Sequence, residues 1–260
     1  MTDTGAGIAK RWYRDRTSYL GNLAPARRAA GLCIMTAGRT GSTLLVDLLH
    51  AHPKVNCDNE PLSVWRDFPW RYVKGRARGV RLRGARVYGF KLNTLNLSAR
   101  FLSVGPKRGV LHFVNVLKAN GFRFVHLRRR NVLRQAISTM RGSQREFHYR
   151  NRDAVPKEKL VVDVPTLLAR MVTLEEHTNA IEAMLRDAPH PTLWYENDLE
   201  RPEDQPRAIE TICGMFGLQA HATKSTIVKV APELLEDEVE NYDEVVEVVG
   251  RTRFSRFLEP

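Results

Sequence analysis

A loop of small, polar and charged residues follows an early apolar run of the chain. The segment reads CIMTAGRTGSTLL, and its glycines, Gly38 and Gly41, let the backbone turn tightly and approach a ligand. The free N–H groups at the start of the helix that follows, together with the helix dipole, favour a bound anion. Arg39 adds a positive charge, while Ser42 and Thr43 add hydroxyl donors. The segment therefore predicts a site for a phosphate-like anion.

The loop differs from the phosphate-binding loop of nucleoside triphosphatases. When the pattern G-x-x-x-x-G-K-[ST] is counted from Gly41, its first glycine falls on Thr36 and its lysine falls on Ser42. A kinase or NTPase with a degenerate phosphate-binding loop is therefore one alternative. Another is a helix capped by Ser42 or Thr40 that binds no ligand.

A second group of cations falls at another junction between a strand and a helix. In the stretch FVHLRRRNVLRQAISTM, Arg128, Arg129 and Arg130 stand where an apolar strand ends and a helix begins. Ser138 lies farther along that helix. The start of a helix is an unfavourable place for arginine unless a negative group is near. The stretch predicts a second anion site, and a solvated basic helix end is the alternative.

The segments RTGSTLL and RNVLRQAIS together resemble the two nucleotide-binding segments of sulfotransferases that use 3′-phosphoadenosine 5′-phosphosulfate (PAPS). In that family the first loop holds the 5′-phosphosulfate, and an arginine and a serine eight residues later hold the 3′-phosphate. Arg130 and Ser138 have that spacing. The resemblance implies that PAPS is the co-substrate. The loop residues that it assigns to the donor are Arg39, Thr40, Gly41, Ser42 and Thr43.

Three further segments extend this resemblance. CDNEPL resembles the glutamate-containing segment of bacterial carbohydrate sulfotransferases, and LWYENDL is similar to the family's tyrosine–glutamate strand. ENYDEVVEVVGRTRFSRFL is similar to the closing helix of many bacterial members, so the resemblance covers roughly residues 31–258. It implies a P-loop-like, α/β sulfotransferase fold with a central, mainly parallel sheet of about five strands flanked by helices. It also implies sulfuryl transfer, without a metal, to a carbohydrate or glycolipid.

Sulfuryl transfer requires a base for the acceptor hydroxyl, positive charge near the reacting oxygens and in-line geometry. Glu60, in the glutamate segment, is the candidate base. The lysine–threonine–histidine segment of aryl and steroid sulfotransferases is absent, and its nearest match is GFKLN at residues 89–93. Arg39 and Lys91 are the candidate stabilising cations. The alternatives are an ordinary exposed glutamate and a lysine whose amine extends to solvent.

Alternating apolar runs and helical patterns position these residues. Strands are expected at 32–36, 87–92, 122–127 and 192–195, and helices at 42–50, 107–120, 131–141, 165–187, 205–216 and 239–249. Such alternation predicts a mainly parallel sheet that binds its ligands at the carboxyl ends of the strands. We expect residues 1–260 to form a single domain, with a basic lead-in at 1–30 and the catalytic part at 31–258. Tyr195 and Glu196, beside the last strand, are expected to be structural.

The charge of the chain indicates an anionic partner, because the formal net charge is +12. Residues 71–86 hold seven Arg or Lys and no acid, whereas residues 233–247 are strongly acidic. Peripheral contact of 71–86 with an anionic membrane or glycan is one interpretation, and a solvated face is the other. Loops at 61–86 and 143–164 are expected to shape the acceptor pocket. We expect no nucleic-acid partner, although a non-enzymatic module that binds nucleic acid or an anionic surface is the remaining alternative.

The cysteines and the apolar runs indicate the cellular compartment in which the protein is expected. Cys33, Cys57 and Cys213 lie far apart without a C-x-x-C pair, which argues against a disulfide framework and a zinc site. The sequence has no apolar run of about 18 residues, so no transmembrane helix is expected. No apolar secretory segment is seen near the first residue. These features predict a cytoplasmic protein.

Overall fold

Five apolar strands form one sheet in which each hydrogen-bonded pair of neighbours runs parallel. The computed structural model describes residues 27–63, 68–96, 109–144, 158–225, 227 and 234–258. The strands are β1 (Ala30–Thr36), β2 (Val55–Asp58), β3 (Val87–Asn93), β4 (Arg123–Arg128) and β5 (Thr192–Trp194), in the spatial order β2–β3–β1–β4–β5. Because all five run the same way, the loops that follow them open at the same edge of the sheet.

Helices cover both faces of this sheet. They are α1 (Ser42–His50), α2 (Pro69–Leu82), α3 (Val110–Ala119), α4 (Val132–Gln144), α5 (Val164–Leu185), the short α6 (Tyr195–Asp198), α7 (Gln205–Gly214) and α8 (Tyr242–Gly250), followed by a 3₁₀ turn at Ser255–Phe257. The predicted fold class is confirmed: this is an α/β fold with a central parallel sheet of five strands flanked by helices.

The apolar core has two parts, one on each face of the sheet. Successive residues of the central strand β1 point alternately into one part and the other. Cys33 and Met35 pack with the helices α2 to α5 and α8 on one face, whereas Leu32 and Ile34 pack with α1 and α7 on the other. A strand buried on both faces reads as a continuous apolar run, which is why β1 was readable from the sequence. Since α1 and α4 pack on opposite faces, the loops after β1 and β4 diverge and leave a crevice where such folds bind ligands.

Apart from the one-turn segments Tyr195–Asp198 and Ser255–Phe257, two elements were not predicted, and both fall between α1 and β3. β2 has only four residues, Val55–Asp58, with an alternating burial pattern. α2 occupies much of the segment 61–86 that was expected to be a variable loop, so that expectation is wrong for residues 69–82. The helix buries Tyr72, Val73 and its other small apolar residues against β3 and α3. Its arginines and its two interior glycines, which are poor helix formers, hide this pattern in the sequence.

Some predictions concern residues outside the described part of the chain. Residues 1–26 of the basic lead-in lie outside it, and so do residues 145–157 of the polar stretch expected to line the acceptor pocket. The single-domain organisation stays a prediction. None of the helices in the described ranges combines the length and apolar character needed to cross a membrane.

Candidate active site

The loop between β1 and α1 is held in an unusual backbone conformation. Gly38, Arg39 and Gly41 have φ angles of 85°, 54° and 73°, in the left-handed region. Gly41 is the N-cap residue of α1, and no side chain caps the helix. The alternative of a helix capped by Ser42 or Thr40 is therefore not what the structure shows. The first N–H groups of α1 lack a side-chain partner of this kind, as an anion-binding helix start requires.

Buried contacts fix the shape of this loop. The hydroxyl of Thr40 lies 2.6 Å from that of Thr36 and is almost fully buried, so any contact of Thr40 with an anion would use its N–H group. The side-chain amide of Gln135, on α4, donates a hydrogen bond of 2.6 Å to the carbonyl oxygen of Gly38. Sequence reasoning missed Gln135, although it lies within the segment RNVLRQAIS.

Arg39 joins the two predicted anion-binding segments. Its Nε donates a hydrogen bond of 3.1 Å to Oγ of Ser138 on α4. Its carbonyl oxygen accepts a bond of 3.3 Å from the guanidinium of Arg129, a mostly buried side chain that stacks on the ring of Tyr195. Burial and the nearby charge of Arg129 lower the pKa of Arg39 to about 10, against an opposing effect of Glu60. Arg39 therefore remains a cation at neutral pH.

Glu60 and Lys91 form a half-enclosed ion pair beside this loop. Oε1 of Glu60 lies 3.0 Å from Nζ of Lys91, and these side chains are 21% and 5% exposed. Nζ of Lys91 also donates to the hydroxyl of Thr43 over 3.1 Å. The structure thus rules out a lysine that simply extends to solvent. It brings the candidate base, one candidate cation and a loop hydroxyl into direct contact.

The contacts of Glu60 keep it ionised. Burial by itself would raise its pKa, but the charge of Lys91 and hydrogen bonds from Lys91, Asn96 and Asn93 outweigh burial and hold the pKa below its usual value. Burial lowers the pKa of Lys91, and the charge of Glu60 opposes that effect. Glu60 itself has a left-handed backbone with φ of 43°, which is uncommon for a residue other than glycine.

Two asparagines complete the surroundings of the carboxylate. Asn93 donates to Oε1 of Glu60 over 3.2 Å, and Asn96 donates to Oε2 over 2.8 Å. These residues, with Ser63, help to line a small pocket that contains Glu60 and Lys91. Asn93 follows Lys91 by two positions at the carboxyl end of β3, and this spacing was the available sequence signal for it. Asn96 gave no such signal.

The start of α4 already has a negative partner from within the chain. Both carboxylate oxygens of Glu196 accept hydrogen bonds of 3.0 Å from the backbone N–H of Arg130, and one accepts from Asn131 over 3.2 Å. Glu196 thus supplies the negative group at this helix start that we expected from the sequence to be a bound anion. The guanidinium of Arg130 lies 4.5 Å from the ring centre of Trp194, and the residue is exposed. Its role toward a 3′-phosphate stays a prediction that rests on its side chain and on Ser138.

A mostly buried ion pair supports the segment that carries Glu60. Arg76 donates two hydrogen bonds, of 2.8 and 2.7 Å, to the carboxylate of Asp58 at the end of β2. The hydroxyl of Tyr88 donates to the same carboxylate over 3.0 Å. Asp58 stands two residues before Glu60, so this group fixes the point where the chain leaves the sheet toward the candidate base. Arg76 belongs to the basic run at residues 71–86, but its charge is paired inside the protein.

Comparisons with known proteins gave no sequence-level match. No protein-family model matches the chain, and no curated protein matches it. Among solved structures, a sulfotransferase from Alicyclobacillus acidocaldarius has a TM-score of 0.45 and 16% identity, covering 86% of this chain and 95% of its own. The sulfotransferase domain from the curacin biosynthetic pathway has a TM-score of 0.45 and 10% identity, covering 90% of this chain and 97% of its own.

Proposed function

We propose that the protein transfers the sulfuryl group of PAPS to a hydroxyl of a carbohydrate or glycolipid. The observation that supports this most is the arrangement at the carboxyl edge of the sheet. There an ionised carboxylate, Glu60, lies beside a lysine that also contacts the anion-binding loop. The cation of that loop, Arg39, interacts electrostatically with both. A base next to cations that can neutralise a phosphosulfate is what sulfuryl transfer requires.

The residues present fit the chemistry of the donor. Arg39, Thr43 and the uncapped N–H groups of α1 would hold the 5′-phosphosulfate, since they offer a positive charge and donors. Ser138 and Arg130 would hold the 3′-phosphate. The hydrogen bond between Arg39 and Ser138 supports this assignment, because it brings the residues assigned to the two ends of the nucleotide into contact.

In the proposed reaction, three side chains have roles that their positions support. Glu60 accepts the proton of the acceptor hydroxyl as the hydroxyl oxygen forms a bond to sulfur. The bond between sulfur and the bridging phosphate oxygen breaks, and 3′-phosphoadenosine 5′-phosphate (PAP) leaves with both electrons of that bond. Lys91 and Arg39 stabilise the negative charge that develops on the leaving oxygen. The proton ends on Glu60 and passes to solvent when the products leave.

The pocket beside Glu60 is consistent with an acceptor rich in hydroxyl groups. Asn93, Asn96 and Ser63 offer amide and hydroxyl groups around the carboxylate, and Leu62 supplies one apolar wall. Polar side chains at such a pocket orient a ligand through hydrogen bonds. A sugar would find both donors and acceptors there, whereas a phenol or steroid would need a more apolar lining.

Calorimetric titration with PAP, ADP and AMP tests the donor assignment. Wild-type protein should bind PAP more tightly than either competitor, and Arg130→Ala should lose that preference. Arg186→Ala, at an exposed arginine near the end of α5, is the matched control and should bind as the wild type does. Equal binding of PAP and ADP by the wild type would overturn the proposal and favour a nucleotide kinase or NTPase. Labelled PAPS with a panel of glycans and glycolipids then identifies the acceptor.

A further inference from the structure

The outward side of α2 carries a row of cations. Arg71, Lys74, Arg78 and Arg81 follow one another at intervals of three, four and three residues, so they share one side of the helix. The opposite side is buried through Tyr72 and its apolar neighbours. We call the outward side, with the turn that follows it, the basic face. Its members are Phe68, Arg71, Lys74, Arg78, Arg81, Leu82, Arg83 and Arg86.

The basic face continues onto the edge of the sheet where strands begin. Arg86 donates its backbone N–H to the carbonyl oxygen of Lys54, and its own carbonyl oxygen accepts from Ala30 at the start of β1. Lys54 and Arg27 are exposed there, and the segments 27–30, 51–54 and 81–87 contain no Asp or Glu. This edge is opposite to the carboxyl edge that holds Glu60. Its charge is therefore separate from the charge of the candidate active site.

In the described part of the chain, the arginines at the end of α2 and in the turn that follows do not form internal ion pairs as Arg76 does. Arg76 is clamped to Asp58 with its side chain only 13% exposed. Arg81, Arg83 and Arg86 are exposed, and no ion pair within the described ranges engages them. Clustered like charges on a surface repel one another, and an anionic surface relieves that repulsion.

Large apolar side chains accompany these charges. Leu82 is 65% exposed among the arginines at the end of α2, and Phe68 is 55% exposed at its start, under the guanidinium of Arg71. A DNA duplex or a polyanionic glycan would contact the cations through its phosphate or sulfate groups, which gain nothing from the exposed side chain of Leu82. A bilayer with anionic lipids accepts both kinds of side chain, with charges at the headgroups and apolar groups at the acyl boundary.

We propose that the basic face docks the protein onto an anionic lipid bilayer. The proposal does not rest on sulfuryl transfer, since it concerns the outward side of α2 and none of the residues assigned to the donor or to catalysis. It predicts binding that weakens as salt rises, because exposed charges are screened within about 10 Å at 0.1 M ionic strength.

Co-sedimentation with vesicles tests the charge requirement. The full chain should bind vesicles of phosphatidylcholine with phosphatidylserine and should not bind phosphatidylcholine alone. Each cation near an anionic surface contributes about fivefold to the partition coefficient, so the triple variant R81Q/R83Q/R86Q should bind on the order of 100-fold more weakly. The variant R186Q/R201Q/K224Q removes three exposed charges elsewhere and is the matched control. Equal loss in both triple variants would overturn the proposal, because net charge alone would then explain binding.

A second pair of variants separates a bilayer from other polyanions. F68S and L82S remove exposed apolar groups without changing charge, and both should weaken vesicle binding several-fold. Binding to a DNA duplex or to heparin should be unchanged in both. Tighter binding of wild type to DNA or heparin than to anionic vesicles, with no effect of F68S and L82S, would overturn the proposal. Circular dichroism of each variant verifies that the helix content of the protein is retained.

Discussion

Replacing Gly41 by alanine tests whether the loop is held by close packing as well as by its backbone conformation. A Cβ atom at Gly41 would lie 2.5 Å from Cδ2 and 2.9 Å from Cε2 of the Tyr195 ring. The left-handed backbone, with φ of 73°, adds about 1–2 kcal/mol for a residue that has a Cβ. Relieving the clash by moving a packed ring adds about 1–3 kcal/mol. Gly41→Ala should therefore cost about 2–5 kcal/mol of unfolding free energy.

Gly121 provides the control for the backbone contribution alone. Its φ of 68° is close to that of Gly41, but a Cβ there would meet no atom within 4 Å. Gly121→Ala should therefore lose only about 1–2 kcal/mol. The difference between the two variants measures the clash with Tyr195. Urea unfolding followed by circular dichroism gives both values, provided that the m-values agree.

A double-mutant cycle locates the clash. Tyr195→Leu removes the ring that Cβ would meet, so Gly41→Ala should cost about 1–3 kcal/mol less in that background than in the wild type. The same ring supports the guanidinium of Arg129, so Tyr195→Leu alone is also destabilising. Equal losses for Gly41→Ala and Gly121→Ala, or no relief in the Tyr195→Leu background, would refute the claim that the ring fixes the loop.

Three further changes test the site and its support. Asp58→Asn should lower the free energy of unfolding by about 3–5 kcal/mol, because it leaves the mostly buried guanidinium of Arg76 without its counter-charge. The double variant Asp58→Asn/Arg76→Met should recover part of this loss, and urea unfolding measures both values. Glu60→Gln should lower kcat by roughly 10²–10⁴ while calorimetry still shows PAP binding, and an unchanged kcat would exclude Glu60 as the base. Lys91→Met removes the charge that holds the pKa of Glu60 down, so Glu60 would take up its proton at a higher pH. The acid limb of kcat/KM for PAPS, which reports the enzyme before the donor binds, should move to higher pH, and a limb that stays in place would show that Glu60 does not govern it.

Local patterns in the sequence were enough to locate the parts of the fold that meet the proposed donor. The apolar run of β1 and the glycines after it mark the first loop, and the strand-to-helix junction at Arg130 marks the second. Both signals lie within about ten neighbouring residues, where periodicity and turn preferences act. The helix α2 was not predicted from the sequence, because its arginines and glycines outnumber the apolar residues that it buries.

The contacts that give the site its chemistry join residues far apart in the chain, and local patterns do not encode them. Arg39 and Ser138 are separated by 99 positions, and Glu60 and Asn96 by 36. From the local sequence, we expected the arginines at the start of α4 to require a bound anion. The structure instead places the carboxylate of Glu196 there, from 66 positions away. Only the topology of the sheet brings such pairs together.

The ion pair of Glu60 and Lys91 also constrains the order of events in the proposed reaction. Lys91 and Asn93 occupy Oε1, and Asn96 occupies Oε2, so the carboxylate is a weak base while these contacts persist. A phosphosulfate in the loop attracts the same ammonium group that Glu60 holds. When Lys91 turns to the donor, the main influence that lowers the pKa of Glu60 is removed, and Oε1 becomes available to a hydroxyl. The acceptor therefore meets a competent base only when the donor is also bound. The pKa of Glu60 should then be higher in the complex with PAP than in the free protein, and calorimetry in buffers of different ionisation enthalpy should detect proton uptake when PAP binds at mildly acidic pH.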